Sequence, residues 1–290
     1  MNVLSLFDGM SCGQIALERA GIKVDTYYAS EIDKYAIQIT QKNYPGTIQL
    51  GDINNINLKQ FDNIDLLIGG SPCQDLSIAK KDRQGINGSK SGLFWKYIEA
   101  LKSVKPKYFL FENVASMKKI DRDIISKELG VQPISINSSL VSALNRERLY
   151  WTNIPNIIQP ENKNIYVVDI LQDDLEIENK YYLTDIAVER LVKINIRAKE
   201  KGLGYKDCII DDLNNSKFLC LDANYFKGAD GKRSVILAKD LRMATPVECE
   251  RLQTLPDNYT EGVSNTQRYK MLGNGWTVDV IAHIFKYILK

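Results

Sequence analysis

Two rhythms of hydrophobic and polar positions alternate along the first third of the chain. NVLSLF (2–7), TYYASEI (26–32), IDLLIGG (64–70) and KYFLFENV (107–114) are short apolar runs with the length of buried strands. Between them GQIALERA (13–20), KYAIQITQKNY (34–44) and LFWKYIEALKSV (93–104) space their apolar residues as a helix does. Gly21 and Pro45 supply the stops for the first two. Strand and helix in alternation predict a parallel sheet with helices on both faces, an α/β fold.

From about residue 158 the rhythm weakens into short segments, Asn-rich turns and lysines. NKYYLTDIAVERLVKINIRAKEKGLG holds a helix, and FLCLDANYFKGADGKRSVIL reads as two strands around a Gly-rich loop. TPVECERLQTLP opens with Thr245 as an N-cap and Pro246 at the first helical position. QRYKMLGNGWTVDVIAHIFKYILK reads as a turn followed by an amphipathic helix. The expected organisation is a first domain over 1–158, a small lobe over 159–243, and a segment over 244–290 that returns to the first domain.

Composition narrows the chemistry. No apolar run approaches the ~20 residues that span a bilayer, and no basic-then-apolar leader opens the chain, so a cytosolic protein is expected. The cysteines Cys12, Cys73, Cys208, Cys220 and Cys249 are odd in number and contain no C-x-x-C pair. Neither a disulfide framework nor a metal site is expected. His283 is the only histidine, so a Ser-His-Asp or Cys-His mechanism has no residue to run through except one in a C-terminal helix. A formal net charge of +2 neither demands nor excludes a nucleic acid.

The chemistry-bearing residues stand where the predicted strands end. LSLFDGMSCG (4–13) runs from a strand through a glycine loop into a helix, a place where a ligand approaches backbone amides. A tight strand-to-helix turn is the plain alternative. The loop lacks G-x-G-x-x-G, which argues against a nicotinamide dehydrogenase. Glu31 in SEID lies 18 residues beyond Gly13, about where an acidic residue accepts from both ribose hydroxyls. Asp52 in GDI stands after a third strand, within reach of an adenine amino group. Cys73 in GGSPCQDLS follows a buried strand at the sheet's carboxyl edge, where a thiolate serves as a nucleophile. Glu112 in FENV is either a hydrogen-bond donor to a ring nitrogen or a salt-bridged strand-end carboxylate. Asn113 beside it can fix a loop. In NRERLYW, Arg148 suits a base carbonyl and Arg146 suits Glu112 or a phosphate; a charged surface strand is the alternative.

These residues, in this order, resemble the C5-cytosine DNA methyltransferases. The likeness runs from FDGMSCG through SEID, GDI, GGSPCQDLS, FENV and NRER to LGNGW, nearly the whole chain. The spelling is nearest to the de novo DNA methyltransferases and their bacterial and phage relatives. Leu144 stands where many bacterial members carry Gln ahead of the two arginines. The resemblance implies a Rossmann-like S-adenosylmethionine-dependent methyltransferase fold, a mixed and mostly parallel sheet with a small target-recognition lobe. It implies S-adenosylmethionine as cofactor, with Phe7, Asp8, Gly9, Met10 and Ser11 at the methionine part and Glu31 at the ribose. Asp52 and Ile53 then take the adenine, Leu93 packs nearby, and Asn274, Gly275 and Trp276 close the pocket. It further implies Cys73 as nucleophile, with Glu112, Arg146 and Arg148 as its catalytic companions on a flipped-out cytosine.

Double-stranded DNA is the implied partner, in a bacterial or phage-infected cell, and a cognate restriction endonuclease is a candidate protein partner. SIAKKDRQGINGSKSG (77–92) follows the nucleophile with Lys80, Lys81 and Arg83, and Gln74 and Ser77 belong to the same DNA-facing stretch. Residues 179–245 hold thirteen Lys and Arg against nine Asp and Glu, a basic excess suited to DNA. Within them Asn224, Lys227, Lys232 and Arg233 form the candidate reading loop. Methylation of cytosine in tRNA, and a catalytically inactive DNA-binding relative, are the competing readings.

Overall fold

A computed structural model describes residues 1–72, 91–200, 208–229 and 233–290. The chain divides into two compact units: Met1–Asn137, Glu147–Gln159 and Val278–Lys290 form the first, and Ser138–Arg146 with Pro160–Thr277 form the second.

The first unit is built on a seven-stranded sheet in the order β3-β2-β1-β4-β5-β7-β6. The strands are β1 (Asn2–Leu6), β2 (Thr26–Ser30), β3 (Ile48–Gln49), β4 (Leu66–Gly69), β5 (Tyr108–Val114), β6 (Ile134–Asn137) and β7 (Glu147–Thr152). β1 to β5 are mutually parallel, and β7 runs antiparallel to both β5 and β6. The α/β reading and its parallel sheet are therefore found, with one reversed strand. Helices α1 (Cys12–Arg19), α2 (Lys34–Asn43), α3 (Phe94–Val104) and α4 (Lys119–Leu129) connect or flank the strands, and α8 (Val278–Phe285) packs on α1.

Burial explains why these segments fold as they do. α3 turns Phe94, Tyr97 and Ile98 inward at helical spacing, onto a core that includes Leu6, Leu67, Phe111 and Trp151. Each such side chain contributes roughly 1.5–3 kcal/mol of transfer free energy. Gly69 is set by close approach, because an added Cβ would lie 2.7 Å from the Leu6 carbonyl oxygen and 3.2 Å from the Tyr97 ring. β4 thus lies tight against β1 at the edge where the loop toward Cys73 leaves the sheet.

The second unit holds α5 (Asp185–Glu200), α6 (Pro246–Leu252), α7 (Asn265–Asn274) and a small sheet of β8 (Ile209–Ile210), β9 (Val235–Leu237) and β10 (Leu241–Arg242). Thr245 caps α6 as expected: its hydroxyl accepts from the Glu248 amide, and Glu248 reaches back to the Thr245 amide. Two expectations fail here. Of the two strands read around the Gly-rich loop, only β9 forms; Phe218 makes a single bridge to Leu144, and Tyr225–Lys227 is one 3-10 turn. The expected turn at KMLGN is the end of α7. Its glycine allows this, since a Cβ on Gly273 would lie 2.2 Å from the Asp222 carbonyl carbon. A contact between two stretches of backbone leaves no signature in local periodicity.

Glu248 is fully buried and grips Arg242, equally buried, through two bonds of 2.7 and 2.8 Å. Removing one partner of such a pair strands the other charge. Arg242→Met should lower the unfolding free energy by about 3–5 kcal/mol, and Arg242→Met with Glu248→Met should lose less than the single change. Urea midpoints at unchanged m-values check this. A single variant as stable as the wild type would show that the pair contributes nothing.

Candidate active site

The carboxyl ends of β1 to β5 lie along one edge of the first unit's sheet, where ligands of open α/β sheets bind. Three positive φ angles shape the loop after β1: Phe7 at 59°, Gly9 at 61° and Ser11 at 60°. Two of these belong to residues with a Cβ, a conformation that persists only when its surroundings enforce it. Enforcement comes from carboxylates. Asp8 accepts from the Ser5 hydroxyl at 2.6 Å, the Tyr27 hydroxyl at 2.8 Å and the Ser11 hydroxyl. Glu31, just past β2, accepts from the amides of Gly9, Ile32 and Asp33, each at 2.8 Å. Desolvation pushes the Asp8 carboxyl up to about 6 although the three hydroxyls pull it down.

The space beside the loop is open at Gly9, where an added Cβ would meet nothing within 4 Å. Beyond β3, Asp52 accepts from the Asn54 amide at 2.9 Å and caps a single 3-10 turn whose first residue, Ile53, is buried. Met10 is buried too, and Phe7 and Leu93 pack against the unit's core. A glycine loop, a strand-end carboxylate and a second acidic cap fit an adenosyl ligand.

On β5, Glu112 meets Arg148 of β7, Nε to Oε1 at 3.1 Å, with both side chains largely buried. The register accounts for it. Glu112 lies opposite Tyr150 and Val114 opposite Arg148, so the pair is a diagonal on one face of an antiparallel ladder. Because β7 is reversed, its beginning meets the carboxyl end of β5. Asn113 donates to the Ser71 carbonyl at 3.2 Å, tying the chain two residues before Cys73 to β5.

Other candidates are placed differently. Arg146 precedes β7, belongs to the second unit and is buried. Its guanidinium donates to the carbonyls of Leu221, Gly273 and Gly275 at 3.0–3.2 Å, and so anchors LGNGW. Arg233 is held by Asp222, at 3.1 and 3.3 Å, and by the Gly228 carbonyl. Asn224 and Lys227 are exposed on the 3-10 turn, whose Tyr225 is buried and hydrogen-bonded to Ser234 and Ala244. Asn274 is exposed and Gly275 and Trp276 half-buried, all in the second unit. Cys73, Gln74, Ser77, Lys80, Lys81, Arg83 and Lys232 lie outside the described residues. Ser5 and Tyr27 escaped the reading of the sequence; a serine inside an apolar strand was the signal for the first. Among the described residues, no group of three or more His, Cys, Asp or Glu is arranged to hold a metal, and no helix is long and apolar enough to cross a membrane.

Comparison with known proteins adds a family and a fold. The profile described as C-5 cytosine-specific DNA methylase matches residues 1–131 and 134–290. The type II methyltransferase M.NlaX of Neisseria lactamica is 30% identical over 302 residues, covering 97% of this chain and 94% of its own. M.HpaII of Haemophilus parainfluenzae is 29% identical, covering 99% and 88%. Among solved structures, Entamoeba histolytica methyltransferase EhMeth superposes with a TM-score of 0.75 at 21% identity, covering 100% of this chain and 98% of its own. S. pombe Dnmt2 gives 0.73 at 20%, with the same coverage. The fold is that of the S-adenosylmethionine-dependent methyltransferases.

Asp8 yields a prediction about stability. Its folded pKa of about 6 exceeds its ordinary 3.8, so the folded state holds the proton more tightly. The stabilisation is complete below pH 3.8 and is lost as the pH rises through 6. The wild type minus Asp8→Asn difference in unfolding free energy should therefore fall across that window, by at most about 3 kcal/mol. Urea titrations at several pH values test this; a constant difference would refute it.

Proposed function

The chain belongs to the C-5 cytosine-specific DNA methylase family, and from that premise we propose that it methylates carbon 5 of a flipped-out cytosine in double-stranded DNA, with Cys73 as the covalent nucleophile. The observation that carries the reading is the Glu112–Arg148 pair at the sheet's carboxyl edge. N3 and O2 are adjacent acceptors on one edge of a cytosine ring. Glu112 hydrogen-bonds the first, as general acid, and Arg148 donates to the second.

Carbon 5 of cytosine is a weak nucleophile. Addition of the Cys73 thiolate to C6 opens the C5–C6 double bond and sends its electron pair toward N3 and O2, where Glu112 and Arg148 meet the developing charge. Carbon 5 then carries enamine character and attacks an electrophile. Bound S-adenosylmethionine supplies that electrophile, a methyl group on a sulfonium. Loss of the C5 proton restores the double bond and expels Cys73. Because C6 is unreachable within the stack, the base is turned out of the duplex.

The cofactor is read onto Phe7, Asp8, Gly9, Met10 and Ser11 for its methionine part and Glu31 for its ribose. Asp52 and Ile53 serve the adenine, and Leu93, Asn274, Gly275 and Trp276 complete the set. Three amides of its own chain hold the Glu31 carboxylate at the strand end, which supports this assignment. Arg146 acts through the LGNGW backbone it holds. For DNA contact the reading assigns Gln74, Ser77, Lys80, Lys81 and Arg83 after the nucleophile, and Asn224, Lys227, Lys232 and Arg233 in the second unit. The candidate protein partner is a cognate restriction endonuclease.

Incubation with labelled S-adenosylmethionine and unmethylated plasmid, followed by bisulfite sequencing, tests the function. Label should enter DNA at a defined short site, vanish with Cys73→Ser, and fall by at least ~100-fold with Glu112→Gln, the scale of a lost general acid. Label in tRNA but not in DNA would keep the chemistry and overturn the substrate. Separately, replacing Lys80, Lys81 and Arg83 by Ala should weaken DNA binding and reduce the slope of log K against log salt by up to about 2.7. An unchanged slope would remove these residues from the DNA contact.

A further inference from the structure

We propose that Ser5 and Tyr27 are positioning residues for the cofactor: with Ser11 they fix the Asp8 carboxylate, and through it hold the Phe7–Ser11 loop in its left-handed form before any ligand arrives. The proposal deepens the assignment of this loop to the cofactor, and rests on it.

Asp8 is the second residue of a five-residue loop whose first, third and fifth residues have positive φ. Its carboxylate is aimed back into the protein at hydroxyls from three places. Ser5 comes from β1 and is 1% exposed, Tyr27 comes from β2 and is 4% exposed, and Ser11 ends the loop and is 0% exposed. Ser11 is itself backed by Gln14, whose amide donates to it at 3.2 Å and to Thr47 at 2.8 Å. The backbone follows the same pins: the Asp8 amide donates to Ser30 at 3.1 Å, and the Ser11 amide donates to the Asp8 carbonyl at 3.2 Å. A carboxylate used in this way works from beneath the loop. It supports the surface that the ligand meets.

Three hydroxyl donors converging on two oxygens suit the anion. A proton on Asp8 competes with them, and one of the three must turn away. Among the described residues, the titratable groups facing Asp8 are the Tyr27 hydroxyl on β2 and the Glu31 carboxylate beyond it, and Glu31 favours the proton. The carboxyl titrates near 6, so the anion predominates above that pH and is lost below it. Each hydroxyl removed would raise this value, because each hydrogen bond lowers it.

The test is calorimetric titration of the complete chain with S-adenosylmethionine between pH 5 and 8. Wild-type affinity should fall with pH through a midpoint near 6. Tyr27→Phe and Ser5→Ala should each weaken binding about tenfold at pH 7.5, the worth of one hydrogen bond to a charged group, and should move the midpoint upward. Asp8→Asn should abolish the pH dependence. A role confined to general stability would lower the melting temperature without moving the midpoint, so wild-type affinity and midpoint in both variants would overturn the proposal. Amide hydrogen exchange in the wild type supplies a second reading if a variant fails to fold. Protection of Asp8 and Ser11, corrected for intrinsic rate, should drop between pH 7.5 and 5; equal protection would overturn the proposal as well. If the wild type binds no S-adenosylmethionine at any pH, the assignment of the loop to the cofactor fails, and exchange alone then decides whether Asp8 pins it.

Discussion

A carboxylate withdrawn from water has to be given donors, because the desolvation of an unpaired charge costs several kcal/mol. Much of this protein is arranged around that constraint. Glu31 receives three backbone amides, and Asp8 receives three hydroxyls. Glu112 receives Arg148. In the second unit Glu248 receives Arg242 and the Thr245 amide, while Glu250 receives Arg268 and the amides of Asn258 and Thr260. Each donor set fixes a piece of backbone, so these acids act as the pins of the two units. Where the pinned backbone is a loop at a strand end, its conformation is fixed by these bonds.

The sheet determines which pins share an edge. Parallel strands deliver their following loops to one edge, so the loops after β1, β2, β3, β4 and β5 converge there without any special device. The reversed β7 brings something a parallel strand cannot, its own first residues, to the same edge. A cation from the start of one strand thereby meets an acid near the end of its neighbour. The result is a largely buried acid–guanidinium pair at the carboxyl edge of the sheet.

Arginines illustrate the division of labour. Arg146 and Arg148 are two residues apart, yet one is buried against three carbonyls of the second unit and the other faces Glu112 on the sheet. Arg233, a candidate for DNA, is bound to Asp222 and stiffens the turn that presents Asn224 and Lys227. A guanidinium offers five donors in a fixed fork, so it can tie several carbonyls at once where a lysine offers a point charge. Charge in the sequence identified the basic segment. Which charges are spent inside it is a matter of neighbours.

What the sequence determined by itself was everything governed by short-range period and by ordered motifs. The strands from Asn2 to Val114, the helices between them, the Thr245 cap and the strand-end positions of Asp8, Glu31, Asp52 and Glu112 all follow from patterns within about ten residues. The order of the motifs carried the family. Tertiary structure alone decided the reversed β7, the partner of each arginine, the close contact that keeps Gly273 a glycine inside α7, and the recruitment of Ser5 and Tyr27 to Asp8. The reason is physical. A side chain's partner depends on strand order, register and burial, which bring together residues as far as 260 positions apart, as Arg19 and Asp279 are. Local pattern specifies what a segment becomes; the packing of segments specifies what each polar group finds there.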